Sequence, residues 1–277
     1  MTGQAAVNSD KLFVLLLRGT VLTPLMARNA LKSNVTWSSY PFLPPTGASG
    51  CLAELLGKTR WYESNSLGLD ARRLEDLPDY QGTFALGAYP VQWQTSQRHF
   101  RSHLGSIFNY EATVWSAGRN EGKKLAVVEE VLTDGLVLVI ATRERSKLLA
   151  LHGAVRGRLG PLAKKGSIQL EYTPEPEILE LKSDSATGRE ETLALMLATE
   201  IGSLPQRTFL PGQALVHYVP VRSRVLSNKQ MEWDIMPSVW DEGLKFRAGV
   251  SIFTGNTSGR AVGVSCQLWE RVSKSKV

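Results

Sequence analysis

The stretch Gln92-Trp93-Gln94-Thr95-Ser96-Gln97-Arg98-His99-Phe100-Arg101-Ser102-His103-Leu104 holds two arginines, two histidines, two aromatic rings, three glutamines and no acid. Cations meet phosphate and flat rings meet bases, so this mixture is chemically what a nucleic-acid strand needs. Residues 26–40 repeat it more loosely, with Arg28, Lys32, Trp37 and Tyr40 among short hydrogen-bonding side chains. The competing reading of Trp37 and Tyr40 is that both rings pin that loop to the core. A third candidate is the turn Arg156 to Gly166, where Arg158, Lys164 and Lys165 alternate with glycines that let a backbone approach closely.

Other chemistries find less support. His99 and His103 are four residues apart, but the residues between them lack a helical pattern and no carboxylate is near, so no metal site and no cofactor are expected. Gly57-Lys58-Thr59 imitates the end of a phosphate-binding P-loop, yet Leu52 stands where the motif needs glycine, and the triplet ends a helix instead of starting one. Gly47-Ala48-Ser49-Gly50 is not a nucleophile elbow, because its second glycine comes one residue early. The two cysteines, Cys51 and Cys266, are too few for a disulfide framework or a zinc site and read as buried thiols of a reducing cytosol. Metal-free phosphodiester cleavage could use His99, Tyr110 or a lysine as acid or base, though the spacing does not demand it.

The chain has 277 residues, 43% hydrophobic and 21% charged, enough for a full core in one large domain or two small ones. No apolar run approaches the ~20 residues of a membrane span, and the start, uncharged until Asp10, lacks the basic region of a signal peptide. The net charge of +6 is unevenly spread. Residues 140–170 carry seven Lys/Arg and one Glu, whereas 171–200 carry eight acids and two bases. Faces of opposite sign are therefore expected.

Several elements would position the candidates. Lys11 to Thr23, with its unbroken Phe13-Val14-Leu15-Leu16-Leu17, reads as a central strand. Phe42-Leu43-Pro44-Pro45-Thr46 stops an extended segment; Thr46 is the expected N-cap of a ten-residue helix that Gly57 ends. Tyr80 to Gln94 reads as a strand, Gly105 to Trp115 as its return, and the whole as a hairpin with a basic, aromatic tip. Lys123–Glu130 and Gly135–Thr142 read as two strands around the tight turn Thr133-Asp134-Gly135. Arg143–Val155 is an expected helix with Leu148, Leu149, Leu151 and His152 on one side. Ile168–Tyr172 is a short strand, 183–191 a linker and 191–202 a helix. The last third reads as β-rich: Ala214–Val225, with Pro220 at an edge or bulge, then Lys245–Phe253 paired with Gly259–Val272.

A buried first strand, a polar loop, then an aromatic residue with Leu-Pro-Pro-Thr, glycine and leucines opening a helix resembles the fifth Cas family. This family comprises CRISPR-associated subunits of type I effector complexes (Cascade) within the RAMP superfamily. The matching residues are Phe42, Leu43, Pro44, Pro45, Thr46, Gly50, Leu52, Leu55, Leu56 and Gly57. The likeness is sharp over 11–57 and architectural beyond. It implies an α+β fold: a ferredoxin-like (RRM-like) RAMP domain over 11–182, an inserted β-hairpin thumb at about 84–118, and a C-terminal β-rich subdomain over 192–272. It implies a cytoplasmic, prokaryotic protein of antiviral defence that caps the 5′ handle of CRISPR RNA (crRNA). The implied partners are crRNA, backbone subunits of the seventh Cas family and a large subunit of the eighth or its equivalent, with target DNA a further candidate and no membrane. In most subtypes this subunit has no catalytic role; in one it cuts repeat RNA with Tyr, Lys and His residues, a triad no motif here assigns.

On that reading Arg28, Lys32, Trp37 and Tyr40 form one RNA-binding wall, Arg98, His99, Phe100, Arg101 and His103 the thumb, and Arg158, Lys164 and Lys165 a third contact. The alternatives are a metal-independent endoribonuclease of CRISPR repeats and a protein-interaction module with no nucleic-acid role.

Overall fold

Val14, Leu15, Leu16 and Leu17 are buried at four consecutive positions, so the first strand is covered on both faces. The computed structural model describes residues 10–25, 27–28, 36–37, 39–57, 73–91, 97–106, 123–162, 166–203, 216–225 and 231–274, with the backbone path alone over 28, 36–37, 97–106, 123–129, 203, 223–225 and 231. In chain order the elements begin with β1 (Lys11–Val21), β2 (Ala27–Arg28), β3 (Thr36–Trp37), β4 (Ser39–Tyr40) and α1 (Pro45–Leu55). Next come β5 (Thr83–Pro90), β6 (Gln97–Ser106), β7 (Lys123–Leu132), β8 (Gly135–Thr142) and α2 (Arg145–Val155). Then follow β9 (Leu159–Leu162), β10 (Gly166–Leu170), β11 (Glu177–Ser185), β12 (Glu191–Thr192), β13 (Met196–Leu197) and β14 (Ile201–Ser203). The chain closes with β15 (His217–Val225), β16 (Met231–Val239), β17 (Lys245–Phe246), β18 (Ser251–Thr257), β19 (Arg260–Ser265) and α3 (Cys266–Ser273).

The fold is α+β and strand-rich. An eleven-stranded sheet runs β14-β17-β12-β19-β18-β11-β1-β10-β9, and β8 joins β1 to β5. On one edge of β1 lies β8, antiparallel from Phe13 to Thr20. Its other edge is shared, β11 taking Lys11–Leu16 and β10 taking Gly19–Val21. The path β1–α1–β5–β8–α2–β11 therefore lays four antiparallel strands side by side in the order β11-β1-β8-β5. Helix α1 packs on β5, β9 and β15, α2 on β1 and β8, and α3 on β5, β15, β18 and β19.

Several expectations are corrected. Thr46 is not the N-cap of α1; Pro44 holds that position and Pro45 opens the helix, where its missing N–H costs nothing. Gly57 does end it, at φ +66°. The expected strand over 80–94 is shorter, Thr83–Pro90, and lies in the main sheet. Gly105 and Ser106 end β6, and the rest of the expected return strand lies outside the described residues. β7 and β8 share the Thr133–Gly135 turn but belong to different sheets. Buried positions run unbroken from Leu138 to Thr142, which suits β8 to the covered site between β1 and β5.

The expected helix over 191–202 is instead three short strands and a 3₁₀ turn, because Ala194, Leu195 and Met196 are all buried and the segment takes its hydrogen bonds from neighbouring edges. The strand expected to reach Val272 stops at Ser265, whose hydroxyl accepts from the Leu268 N–H and starts α3. Lys245–Phe253 is broken into β17 and β18 around Gly249, at φ +86°. Leu149, expected to be covered, is 42% exposed. The hydrogen-bonded sheet also crosses the 183–191 stretch through the β11–β18 pairing. No described helix is long and apolar enough to cross a membrane.

Candidate nucleic-acid interface

β6 pairs antiparallel with β7 from Gln97–Leu132 to Ser106–Lys123. β3 pairs with the other edge of β7, parallel, placing Thr36 beside Val127 and Trp37 beside Val128. The result is a separate three-stranded sheet, β3-β7-β6. One row across it reads Trp37, Val128, Arg101. Of the 26–40 stretch only Thr36 and Trp37 join the hairpin in one sheet; Arg28 and Tyr40 lie in the separate β2–β4 pair.

Successive strand residues take opposite faces. Register therefore puts His99, Arg101 and His103 of β6 on the face that also carries Trp37 of β3 and Lys124 and the buried Glu130 of β7. Arg98 and Phe100 fall on the other face, in the same set as Leu104, Leu125, Val127 and Val131. That face also carries Ser102, Ser106, Lys123 and Glu129, and its member Val131 is buried in the core beside Leu25. Two backbone hydrogen bonds between Leu25 and Val131, of 2.8 and 2.9 Å, tie the root of the sheet to the end of β1.

Charge is polarised along the hairpin. Lys123 and Lys124 lie opposite Ser106 and Gly105 at the far end, while Glu129 and Glu130 lie opposite Phe100 and His99 near the root. Sequence reasoning missed both lysines as site residues, because β7 was paired with β8. The Lys-Lys doublet at a strand start was the available signal. It also took β6 as acid-free, which holds for that strand but not for its partner.

Tyr40 is corrected. It is fully buried and stacks on Phe42 with ring centroids 5.8 Å apart, so it has no face to offer a base. Its hydroxyl donates to the Tyr218 carbonyl at 2.5 Å. Thr46 Oγ1 donates to the Pro220 carbonyl at 3.2 Å. Both carbonyls belong to β15, the last strand of the β13-β16-β15 sheet. Leu43 meanwhile exchanges two backbone bonds with Ala88 of β5. The 40–46 segment thus braces β5 against β15 by hydroxyls and a short ladder. Around it Phe42, Tyr89, Trp240 and His217 pack, Tyr89 and Trp240 stacking at 4.9 Å.

Arg158 is exposed, and its side chain makes a bond within the fold. Its guanidinium donates to the Leu55 carbonyl at 2.7 Å, satisfying an orphan acceptor at the C-terminus of α1, where a cation is also favoured by the helix dipole. Other cations of the 140–170 block are engaged in the same way. Arg143 donates to the Lys11 carbonyl and its guanidinium lies over the Phe253 ring, 4.8 Å from the centroid; Lys147 donates to the Gln81 carbonyl; Arg156 donates to that of Pro174. Arg28 is in β2, opposite Ser39 of β4. Lys32, Lys164 and Lys165 lie outside the described residues. The strands flanking Lys164 and Lys165 open from the end of β1 that carries the basic sheet: Leu22 N–H donates to Ser167, and Val21 N–H to Asp134.

Burial pushes the Cys51 thiol up to about 12 and the Cys266 thiol up to about 11, so neither is a thiolate nucleophile at neutral pH. Among the described residues no three His, Cys, Asp or Glu side chains gather in a metal-binding group.

No family model and no curated protein matches the chain. It is similar to CRISPR proteins among solved structures. A chain of the type III-B Cmr-beta complex bound to cognate target RNA and AMPPnP is 13% identical, with a TM-score of 0.41, over 85% of this chain and 86% of that one. A CRISPR protein from Archaeoglobus fulgidus is 13% identical, with a TM-score of 0.33, over 92% and 99%. A chain of a CRISPR RNA-guided surveillance complex is 14% identical, with a TM-score of 0.37, over 95% and 97%.

Proposed function

We propose that the chain is a non-catalytic RNA-binding subunit of a type I CRISPR effector complex. It holds the 5′ handle of crRNA on the β3-β7-β6 sheet and stands between backbone subunits of the seventh Cas family and the large subunit. The observation that carries this reading is the row Trp37–Val128–Arg101, which brings residues 37 and 101 to one register position in the set that also holds His99, His103 and Lys124. Rings for splayed bases and cations for phosphates are what single-stranded RNA recognition requires.

Two further features support it. The path β1–α1–β5–β8–α2–β11, with strand order β11-β1-β8-β5, accords with a ferredoxin-like reading, and the β6–β7 hairpin between β5 and β8 accords with an inserted thumb. The 40–46 brace assigns a structural purpose to the Leu-Pro-Pro-Thr motif on which the family resemblance rests. The test is co-expression with the products of neighbouring genes. Purified complex should carry RNA with one defined 5′ end. Complex that assembles and carries no RNA, or a chain that joins no complex, would contradict the reading.

A further inference from the structure

A cleft of about 330 Å³ lies where the main sheet meets the basic one. Val21 N–H donates to the Asp134 carbonyl at 3.0 Å, and Leu25 pairs with Val131. Between these two fastenings Leu22 N–H turns away to the Ser167 carbonyl, so the end of β1 and the β7–β8 turn part. Val21, Leu22, Pro24 and Leu132 give the gap apolar walls, and Thr23, Thr133 and Asp134 give it polar ones. Leu22 is 51% exposed and Leu132 38%, so these walls are reachable from solvent.

Register ties the cleft to the basic sheet. Leu132 lies opposite Gln97 and, by strand alternation, falls in the set that holds Trp37, His99, Arg101 and His103. It stands four residues along β7 from Val128 of the Trp37–Val128–Arg101 row, about 13 Å at the rise of a strand. Charge distinguishes the two ends of this face. The far end carries Lys124, whereas the root carries the buried Glu130 and then Asp134 at the cleft; Lys123 and Glu129 repeat that order on the other face. Phosphate is drawn to the far end and repelled from the root. What suits the cleft is an uncharged part of the same strand, a base.

The polar lining discriminates among bases. Asp134 is exposed, and a carboxylate accepts at both oxygens. Guanine alone among the common RNA bases sets two donors, N1–H and N2–H, side by side on its pairing edge. Adenine and cytosine set an acceptor beside the amino group, and the N–H of uracil stands between two carbonyls. Thr23 Oγ1 accepts from the Ser167 N–H at 2.9 Å, so its own proton is a donor suited to the guanine O6. We propose that the cleft between residues 21–24 and 132–134 holds one splayed guanine of a bound RNA, its faces against Leu22, Pro24 and Leu132 and its pairing edge on the Asp134 carboxylate. The inference rests on the RNA-binding reading and adds to it a base preference at a defined place.

The test is fluorescence anisotropy of labelled RNA octamers on the full-length chain: all uridine, uridine with one central guanosine, and the same with inosine, which lacks the N2 amino group. The single guanosine should tighten binding about tenfold, and inosine should lose most of that gain. Asp134→Asn, at an unchanged melting temperature, should abolish the preference and bind the all-uridine octamer as the wild type does. Arg101→Glu should weaken all three octamers and leave their ratios unchanged. A guanosine octamer no tighter than the all-uridine one, or a preference that survives Asp134→Asn, would overturn the cleft and leave the RNA-binding reading standing. Failure of every octamer to bind would sink that reading, and guanosine 5′-monophosphate titrated into the ¹⁵N-labelled chain then decides the cleft. Amide shifts centred on 21–23 and 132–134, absent with adenosine 5′-monophosphate, would keep it as a guanine site; their absence would remove it.

Discussion

The 40–46 brace and the β3-β7-β6 sheet draw on the same residue types, and they use them in opposite ways. In the brace, aromatic rings face one another and hydroxyls satisfy strand carbonyls: Tyr40 to Tyr218, Thr46 to Pro220. In the basic sheet, register sets Trp37, His99, Arg101 and His103 on one face of three strands that stand apart from the main sheet. A ring or a cation becomes a ligand contact only where the fold leaves its polar or π face unclaimed. Tyr40 is buried and its hydroxyl is claimed by a carbonyl, and so it holds the scaffold on which the other residues are presented.

The contrast is broken or sharpened by substitution on each side. The largest effect is expected from Phe42→Ala. Phe42 is fully buried and meets Tyr40, Tyr89, His217 and Trp240, and removing such a ring costs about 3–5 kcal/mol. That is a large share of a domain's stability, so thermal melting should fall sharply or the chain should fail to fold. Tyr40→Phe keeps the ring and strands the Tyr218 carbonyl, an expected loss of about 1–3 kcal/mol in urea denaturation. RNA affinity of the folded protein should not change. A Tyr40→Phe variant with native stability and impaired RNA binding would erase the distinction between the two regions.

Arg101→Glu should do the reverse. Stability should move within about 0.5 kcal/mol, while RNA affinity falls about tenfold, equivalent to about 1.4 kcal/mol. The smallest effect concerns pH. Glu75 accepts from Ser49, the residue that also receives the Leu74 N–H, and its burial raises the carboxyl above its ordinary value. The folded state then holds its proton to higher pH than the unfolded state does, so stability falls as pH rises from about 4.5 through the raised value. Urea midpoints measured across that window should decline with pH, and Glu75→Gln should flatten the decline.

Local signals carried the parts of the fold that depend on few residues. The double proline and Gly57 marked α1, and the unbroken apolar run marked β1 as central. Pro220 was placed at an edge or bulge, and it lies in β15 just before the register shift at Arg222. Three basic or aromatic segments were legible as candidates, but not their sorting. Whether Tyr40 stacks on a base or on Phe42 depends on His217 and Tyr218, some 180 residues away in sequence. Which carbonyl Arg158 meets depends on where α1 ends. The partner of β6 was hidden by a stronger local signal, the Thr133-Asp134-Gly135 turn, which drew β7 toward β8. For α3 the capping serine, Ser265, was present with Leu268, Trp269 and Val272 at helical spacing, but the preceding Val262–Val264 alternation outweighed it.

The central claim is that the β3-β7-β6 sheet meets RNA phosphate and the brace does not. It is tested most directly by the salt dependence of affinity for a short single-stranded RNA in wild type, Arg101→Glu and Tyr40→Phe. Binding should weaken steeply with salt in the wild type. The log–log slope should shrink by about one in Arg101→Glu and stay unchanged in Tyr40→Phe. An affinity that ignores salt, or a slope that Arg101→Glu leaves intact, would contradict the account.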